Sequence, residues 1–340
     1  LVTEKYFTLR NLVIDMVPQD VAAVKGVGDA QDLSLPSEME ILELTPLTER
    51  ADSRVRRIFM ALALISVIIM GLIVIFLFKE GIGLFWTVGL KDFLLSDQWY
   101  PTYDPPDFGI LPLIVGSAAV TLVSSLIAVP LGIGSALYLA AVAGQRVREW
   151  IKPAIELLAS LPSVVLGFLG MVVIAPLLQE YLDIPTGLNI LNASIMLALM
   201  AIPTICSISE DALHSVSREW LEASYALGAT SWETTLRVLI PGALSGLGTA
   251  VILGMSRAMG ETMVVLMVAG GAAQIPSSLF ESVRPLPATI AAEMGETPFG
   301  SEHYHALFAI GIVLFLITLI FNLTAAYFSQ RFQQKGSATL

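Results

Sequence analysis

Arg257 and Glu261 are charged residues inside an otherwise apolar run, Leu253-Gly254-Met255-Ser256-Arg257-Ala258-Met259-Gly260-Glu261-Thr262-Met263. A helix through that run places the two charges one turn apart on one face. Arg257 stands sixteen residues beyond Pro241, about 24 Å along a helix rising 1.5 Å per residue. In a bilayer that depth is near the middle, where an arginine costs at least about 2.5–3.5 kcal/mol. Arginine before glutamate is the less favourable order for a helix, so helix stabilisation is a poor reason for the pair. A guanidinium there offers planar, permanently charged donors to an oxyanion, with Glu261 as counter-ion when the path is empty. Ser256 and Thr262 add hydroxyls beside them. The plainer alternative is an ion pair that fixes helix packing.

Such residues need a membrane around them, and the composition supplies one. Of 340 residues 55% are hydrophobic and 14% charged, against about 25% charged in an ordinary soluble domain. The net charge of −11 argues against a nucleic-acid binder, whose footprint is basic. The single cysteine, Cys206, excludes an internal disulfide framework and a cysteine-based metal site. Six stretches are long and apolar enough to cross a bilayer, which takes roughly 20 residues. They are Ile58–Phe78, Leu111–Ala143, Ile151–Leu178, Leu191–Ile208, Pro241–Ala269 and Ala306–Phe328.

Basic residues near the span ends then set the orientation. With the N-terminus inside, the inner flanks carry Arg54, Arg56, Arg57, Arg146, Arg148, Lys152, Arg218, Arg237, Arg331 and Lys335, and the outer flanks only Lys79, Lys91 and Arg284. Both termini are therefore expected in the cytoplasm. Residues 80–110, 179–190 and 270–305 face outward, and 209–240 is the largest inward loop. The expected domains are an acidic, flexible tail over 1–53, a permease domain over 54–330 and a short tail over 331–340. The first residue is Leu1, which leaves Met16 and Met39 as candidate starts.

The inward loop carries Leu213, Val216, Trp220, Leu221, Ser224 and Leu227 at helical spacing, then Gly228, then a second helical segment Ser231–Ile240. This predicts a helix–turn–helix at the membrane surface, with Gly228 free to turn left-handed. Glu222-Ala223-Ser224, three residues, Gly228, nine residues, then Val238, Ile240 and Pro241 resembles the EAA loop of binding-protein-dependent ABC importer permeases. Ser224, Val238 and Ile240 are size-conserving departures from that pattern. In that family the short helix docks on a cytoplasmic ATPase and transmits its closure to the spans.

The string Arg257-Ala258-Met259-Gly260-Glu261-Thr262 resembles the fifth span of phosphate importer permeases. Phe108–Gly116, Thr262–Gly270 and Ile290–Ala309 narrow the resemblance to the PstC type, over about Arg54 to Phe328. It implies an all-α membrane protein of six helices with a cytoplasmic coupling-helix loop, of the MetI-like type I importer class. It implies as partners a PstA-type permease subunit, two PstB-type ATPase chains and a periplasmic PstS-type phosphate-binding protein. ATP and Mg2+ would be used by the ATPase.

No Gly-rich phosphate loop followed by Lys-Ser/Thr is present, so the ATPase is expected to be another chain. No catalytic serine, thiol or metal constellation is present either, and His303 and His305 without further ligands predict no metal site. The segment Trp99–Asp107 reads equally as interfacial aromatics or as a docking surface. Two other readings remain at this stage: the same architecture carrying a cation such as a polyamine, with Arg257 only a counter-ion, and a secondary transporter without an ATPase. The outer loops, with Lys79 at their edge, hold three bases and eleven acids. Such a mouth repels free phosphate, and an anion importer would need its cargo handed over by a carrier.

Overall fold

The computed structural model describes the backbone of residues 38–337 and the side chains of residues 55–327. Residues 1–37 of the expected tail over 1–53, and with them Met16, lie outside the described residues. The chain divides into two units, Leu1–Met70 and Gly71–Leu340. In the first unit helix α1 (Glu38–Ile82) begins within the segment expected as tail. Every described side chain from Val55 to Met70 is exposed, including Phe59, Leu62, Val67 and Met70. A helix that is apolar all round is suited to lipid or to the interior of a larger assembly.

In the second unit the last turns of α1 meet the long helix α13 (Glu302–Ser337). Phe76 stands edge-on to Phe308, and Phe78 to Phe315, with ring centres 5.6 and 6.4 Å apart. The core is a trio of helices, α3 (Leu111–Leu137), α7 (Ile190–His214) and α10 (Ile240–Met259). Ser194 donates to the carbonyl of Val120, and a side chain at Gly132 would meet Ile205 at 2.8 Å, so α3 and α7 run parallel. Gly254 lies against Ile205 and Gly246 against Ala212, so α10 runs antiparallel to α7. Small residues let these backbones approach where lipid gives no hydrophobic drive between helices.

The third span departs from expectation. Residues Gln145–Ser160 form a separate helix, α4, and the crossing starts only at Ser163. Arg146, Arg148, Glu149, Lys152 and Glu156 stud α4 with charge. Pro162 also disfavours a helical residue before it, and Leu161 is extended, with ψ of 132°. Beyond the break come α5 (Ser163–Leu169), one turn of π-helix (Gly170–Ile174) and α6 (Ala175–Leu182). The wide turn upsets the regular backbone ladder, and Asn192 of α7 donates its side-chain amide to the Gly170 carbonyl at 2.9 Å.

The fifth span departs as well. Helix α10 ends at Met259, and after Gly260-Glu261-Thr262 a new helix, α11, runs Met263–Val268. The amides of Gly260 and Glu261 both fold back at 3.3 Å, to Ser256 and Ala258, which tightens the end of α10. Leu266 then starts the next ladder on the Thr262 carbonyl at 3.0 Å.

The expected outer loop 270–305 is largely folded. Gly270 bridges Val283, and helix α12 (Leu286–Glu293) is buried along Leu286, Pro287, Ala288 and Thr289. Its first amide donates to the Ser117 hydroxyl of α3 at 2.8 Å. Gly270 has a φ of +91°, and a side chain there would run into Ser282 and the Leu188 carbonyl. Two short elements complete the same region: helix α2 (Leu90–Leu95), and the antiparallel pair β1 (Trp99–Tyr100) and β2 (Asp107–Phe108).

Candidate functional site

The break after Met259 decides how the charged pair is presented. Arg257 sits in the last turn of α10 and is exposed, while Glu261 lies in the break and is half-buried. The two line one crevice with Ala258 and with Leu197, Met200 and Ala201 of α7. They form no ion pair: among the described residues no carboxylate lies within 4.0 Å of Arg257. This corrects the expectation of a pair one turn apart on a continuous helix, because the helix they would share has ended. Glu261 instead turns one oxygen toward the amide of Val264, at 3.5 Å, over the first turn of α11.

Ser256 and Thr262 do not join the crevice. The Ser256 hydroxyl donates to the Asn322 side-chain oxygen of α13 at 3.3 Å, and Thr262 donates to the Gly260 carbonyl at 3.4 Å. Among the described residues no group claims the guanidinium's donors, and a carboxylate that could repel or release an anion lines the same crevice. An unpaired guanidinium is a donor set that can hold an oxyanion.

The hairpin after α7 is built as its sequence suggests. Helix α8 (Arg218–Ala226) ends with Gly228 donating to the Tyr225 carbonyl and Ala229 to that of Ser224. Gly228 has a φ of +86°, a position that L side chains resist. Thr230 and Glu233 then cap the short helix α9 (Ser231–Thr234) reciprocally. The Ser224 and Thr234 hydroxyls lie 2.9 Å apart and pin α8 to α9, a contact that alanine at 224 would lack. A π turn, Thr235–Leu239, leads into α10, whose first turn holds Pro241. Val238 and Ile240 are half-buried, whereas Glu222 and Ala223 are exposed. No residue of α8 is buried, and Leu227 at the hairpin tip is 90% exposed.

The pattern of one protein family, described as "binding-protein-dependent transport system inner membrane component", matches residues 128–334. The chain belongs to this family. Its relatives include the probable ABC transporter permease protein YqgH of Bacillus subtilis, 42% identical over 82% of this chain and 91% of that protein. They also include the phosphate transport system permease protein PstC of Mesorhizobium japonicum, 35% identical over 82% of this chain and 90% of that one. In fold, the permease is like a chain of a bacterial ABC transporter "involved in the import of the acidic polysaccharide alginate". The TM-score is 0.55 at 16% identity, over 83% of this chain and 99% of that one. A chain of the MetNI methionine ABC transporter gives 0.51 at 20% identity, over 64% and 93%. The permease is thus a multi-pass membrane protein of the PstC type, with the MetI-like helical fold and six helices apolar enough to span among the described residues.

Two further clusters in the permease were not expected. Glu293, at the end of α12, accepts from the Trp99 indole at 3.1 Å, from Arg284 at 2.5 Å and from His303 at 2.8 Å. One carboxylate so ties β1, the approach to α12 and the start of α13, beside a cavity of about 620 Å3. Glu210 gathers Arg148, Lys152 and His214 near the other end of α7. Sequence spacing joins neither cluster as a whole, since Arg148 and Glu210 are 62 residues apart and Trp99 and Glu293 194. Replacing Glu293 by glutamine removes the charge shared by Arg284 and His303, and the expected cost is roughly 2–3 kcal/mol. A lowered thermal midpoint of the purified permease, with a shifted Trp99 emission, checks it. An unchanged midpoint would show that the cluster adds nothing to stability.

Proposed function

We propose that the permease is the membrane subunit through which an ATP-driven, binding-protein-dependent importer passes inorganic phosphate. The observation that carries the anion reading is Arg257: a permanent cation in an apolar helix, exposed and free of any carboxylate partner among the described residues. A cationic cargo such as a polyamine would favour the opposite arrangement, with Glu261 presented and Arg257 engaged. The names of the PstC relatives support the same cargo.

In this reading both termini are cytoplasmic, following the basic inner flanks, and α8 is the coupling helix. A PstB-type ATPase dimer hydrolyses ATP with Mg2+, and its closure moves α8. A PstA-type subunit completes the pathway, and a periplasmic PstS-type protein delivers phosphate to the acidic outer face. The permease itself catalyses no reaction and holds no cofactor. Uptake of labelled phosphate into vesicles bearing the assembled complex tests the cargo. Unlabelled phosphate should compete and spermidine should not; competition by spermidine alone would overturn the reading.

A further inference from the structure

Glu210 is a carboxylate with 1% of its residue surface exposed, on the last turns of α7. It sits beside an apolar cluster that includes Cys206, Leu213 and Leu247, with Ile151 and Ile155 of α4 packed against it. A buried charge is tolerated only when it is paired and hydrogen-bonded, and here both oxygens are held. Arg148 grips Oε1 at 2.6 Å and Lys152 grips Oε2 at 3.0 Å. His214, one turn along α7, lies 3.6 Å from Oε1 and 2.7 Å from the Arg148 guanidinium. Arg148 and Lys152 are one turn apart on α4, so the helix is clamped at two points by a single side chain.

The same end of α7 carries the base of the hairpin. Gly246 of α10 closes directly on Ala212, and a side chain at Gly242 would meet Val216 at 3.1 Å and Trp220 at 3.7 Å. Close-packed contacts transmit a displacement instead of absorbing it. Motion of the hairpin therefore reaches the end of α7, and through Glu210 it reaches α4, which leads by way of Pro162 into the third crossing.

We propose that Glu210 is a positioning residue that braces the surface helix α4 to the base of the coupling hairpin, so that ATP-driven movement is delivered to the third crossing. The proposal rests on the importer reading above, and its test has two readouts. The first is amide hydrogen exchange of the full-length chain in lipid. Glu210→Gln should raise exchange over 145–160 about tenfold and leave 190–205 unchanged, because a local opening is freed while the core stays shut. The second is phosphate taken up per ATP hydrolysed by the assembled complex. That ratio should fall about fivefold while hydrolysis stays within about twofold, since coupling and hydrolysis are separable.

Glu210→Asp, which keeps the charge, should restore much of both. Where Glu210→Gln does not accumulate, Lys152→Gln leaves Arg148 in place and should give smaller shifts of the same sign. Unchanged exchange over 145–160 overturns the brace. An equal fall in uptake and hydrolysis overturns its role in coupling. An unsubstituted complex that takes up no phosphate with ATP overturns the importer reading instead, and the exchange measurement then decides the brace by itself.

Discussion

Arg257→Ala is expected to cut phosphate uptake by about 10- to 100-fold while leaving the permease assembled and its thermal midpoint unchanged. The magnitude follows from the contact removed: a hydrogen bond to a charged group is worth about 1.5–3 kcal/mol, and each 1.4 kcal/mol is tenfold. The fold should not notice, because Arg257 makes no ion pair among the described residues and stands exposed at the end of α10. Arg257→Lys keeps the charge but loses the planar fork, and should fall between the two.

Glu261→Gln gives the control. A tight resting pair would make its loss as damaging as that of Arg257, by stranding the guanidinium. The break at Gly260 separates them, so Glu261→Gln should cost less than Arg257→Ala. Vesicle uptake beside a melting curve of each variant checks this set, and full uptake by Arg257→Ala would remove the residue from the pathway.

The parts of the fold that follow from length and local chemistry were legible in the chain. Twenty apolar residues suffice to mark a span, and six were marked. The turn at Gly228 follows from the glycine and from Thr230 and Glu233 three residues apart. Local signals are ambiguous where one apolar arc serves two purposes. Ile151 and Ile155 of α4 pack inward, while Trp150 and Leu157 are exposed on a helix that is also studded with charge. Composition alone merged that helix with the crossing that follows, although its charges and Pro162 set the boundary at Ser163.

The fifth span is ambiguous for a related reason. Hydropathy runs on through Gly260 to Ala269, but the helix ends at Met259 and a new one starts at Met263. The four-residue spacing of Arg257 and Glu261 therefore makes no one-turn pair, because the helix between them is broken. The clusters at Glu210 and Glu293 lie beyond any local rule, because packing brings together groups 62 and 194 residues apart.

The hairpin tip should be as sensitive as Arg257, for a different reason. Leu227 is 90% exposed and Trp232 66%, at the end of a helix with no buried residue. In a lone chain such side chains gain nothing from the fold, so their removal should leave the melting curve where it was. In an assembly with an ATPase, burying a leucine contributes about 1.5–3 kcal/mol, and replacing it by an unpaired buried charge costs more still. Leu227→Asp is therefore expected to lower co-purification of the ATPase by at least about tenfold and to abolish uptake with it.

Gly228→Val isolates the turn from the contact. Nothing lies within 4 Å of a Cβ built there, so the penalty comes mainly from the left-handed backbone, at least about 1–2 kcal/mol for a β-branched residue. That change should weaken coupling more than assembly, because it tilts α8 while leaving Leu227 in place. Quantitative pull-down of the two variants beside ATP-driven uptake separates the cases. Undiminished assembly and uptake in Leu227→Asp would mean that the partner docks elsewhere.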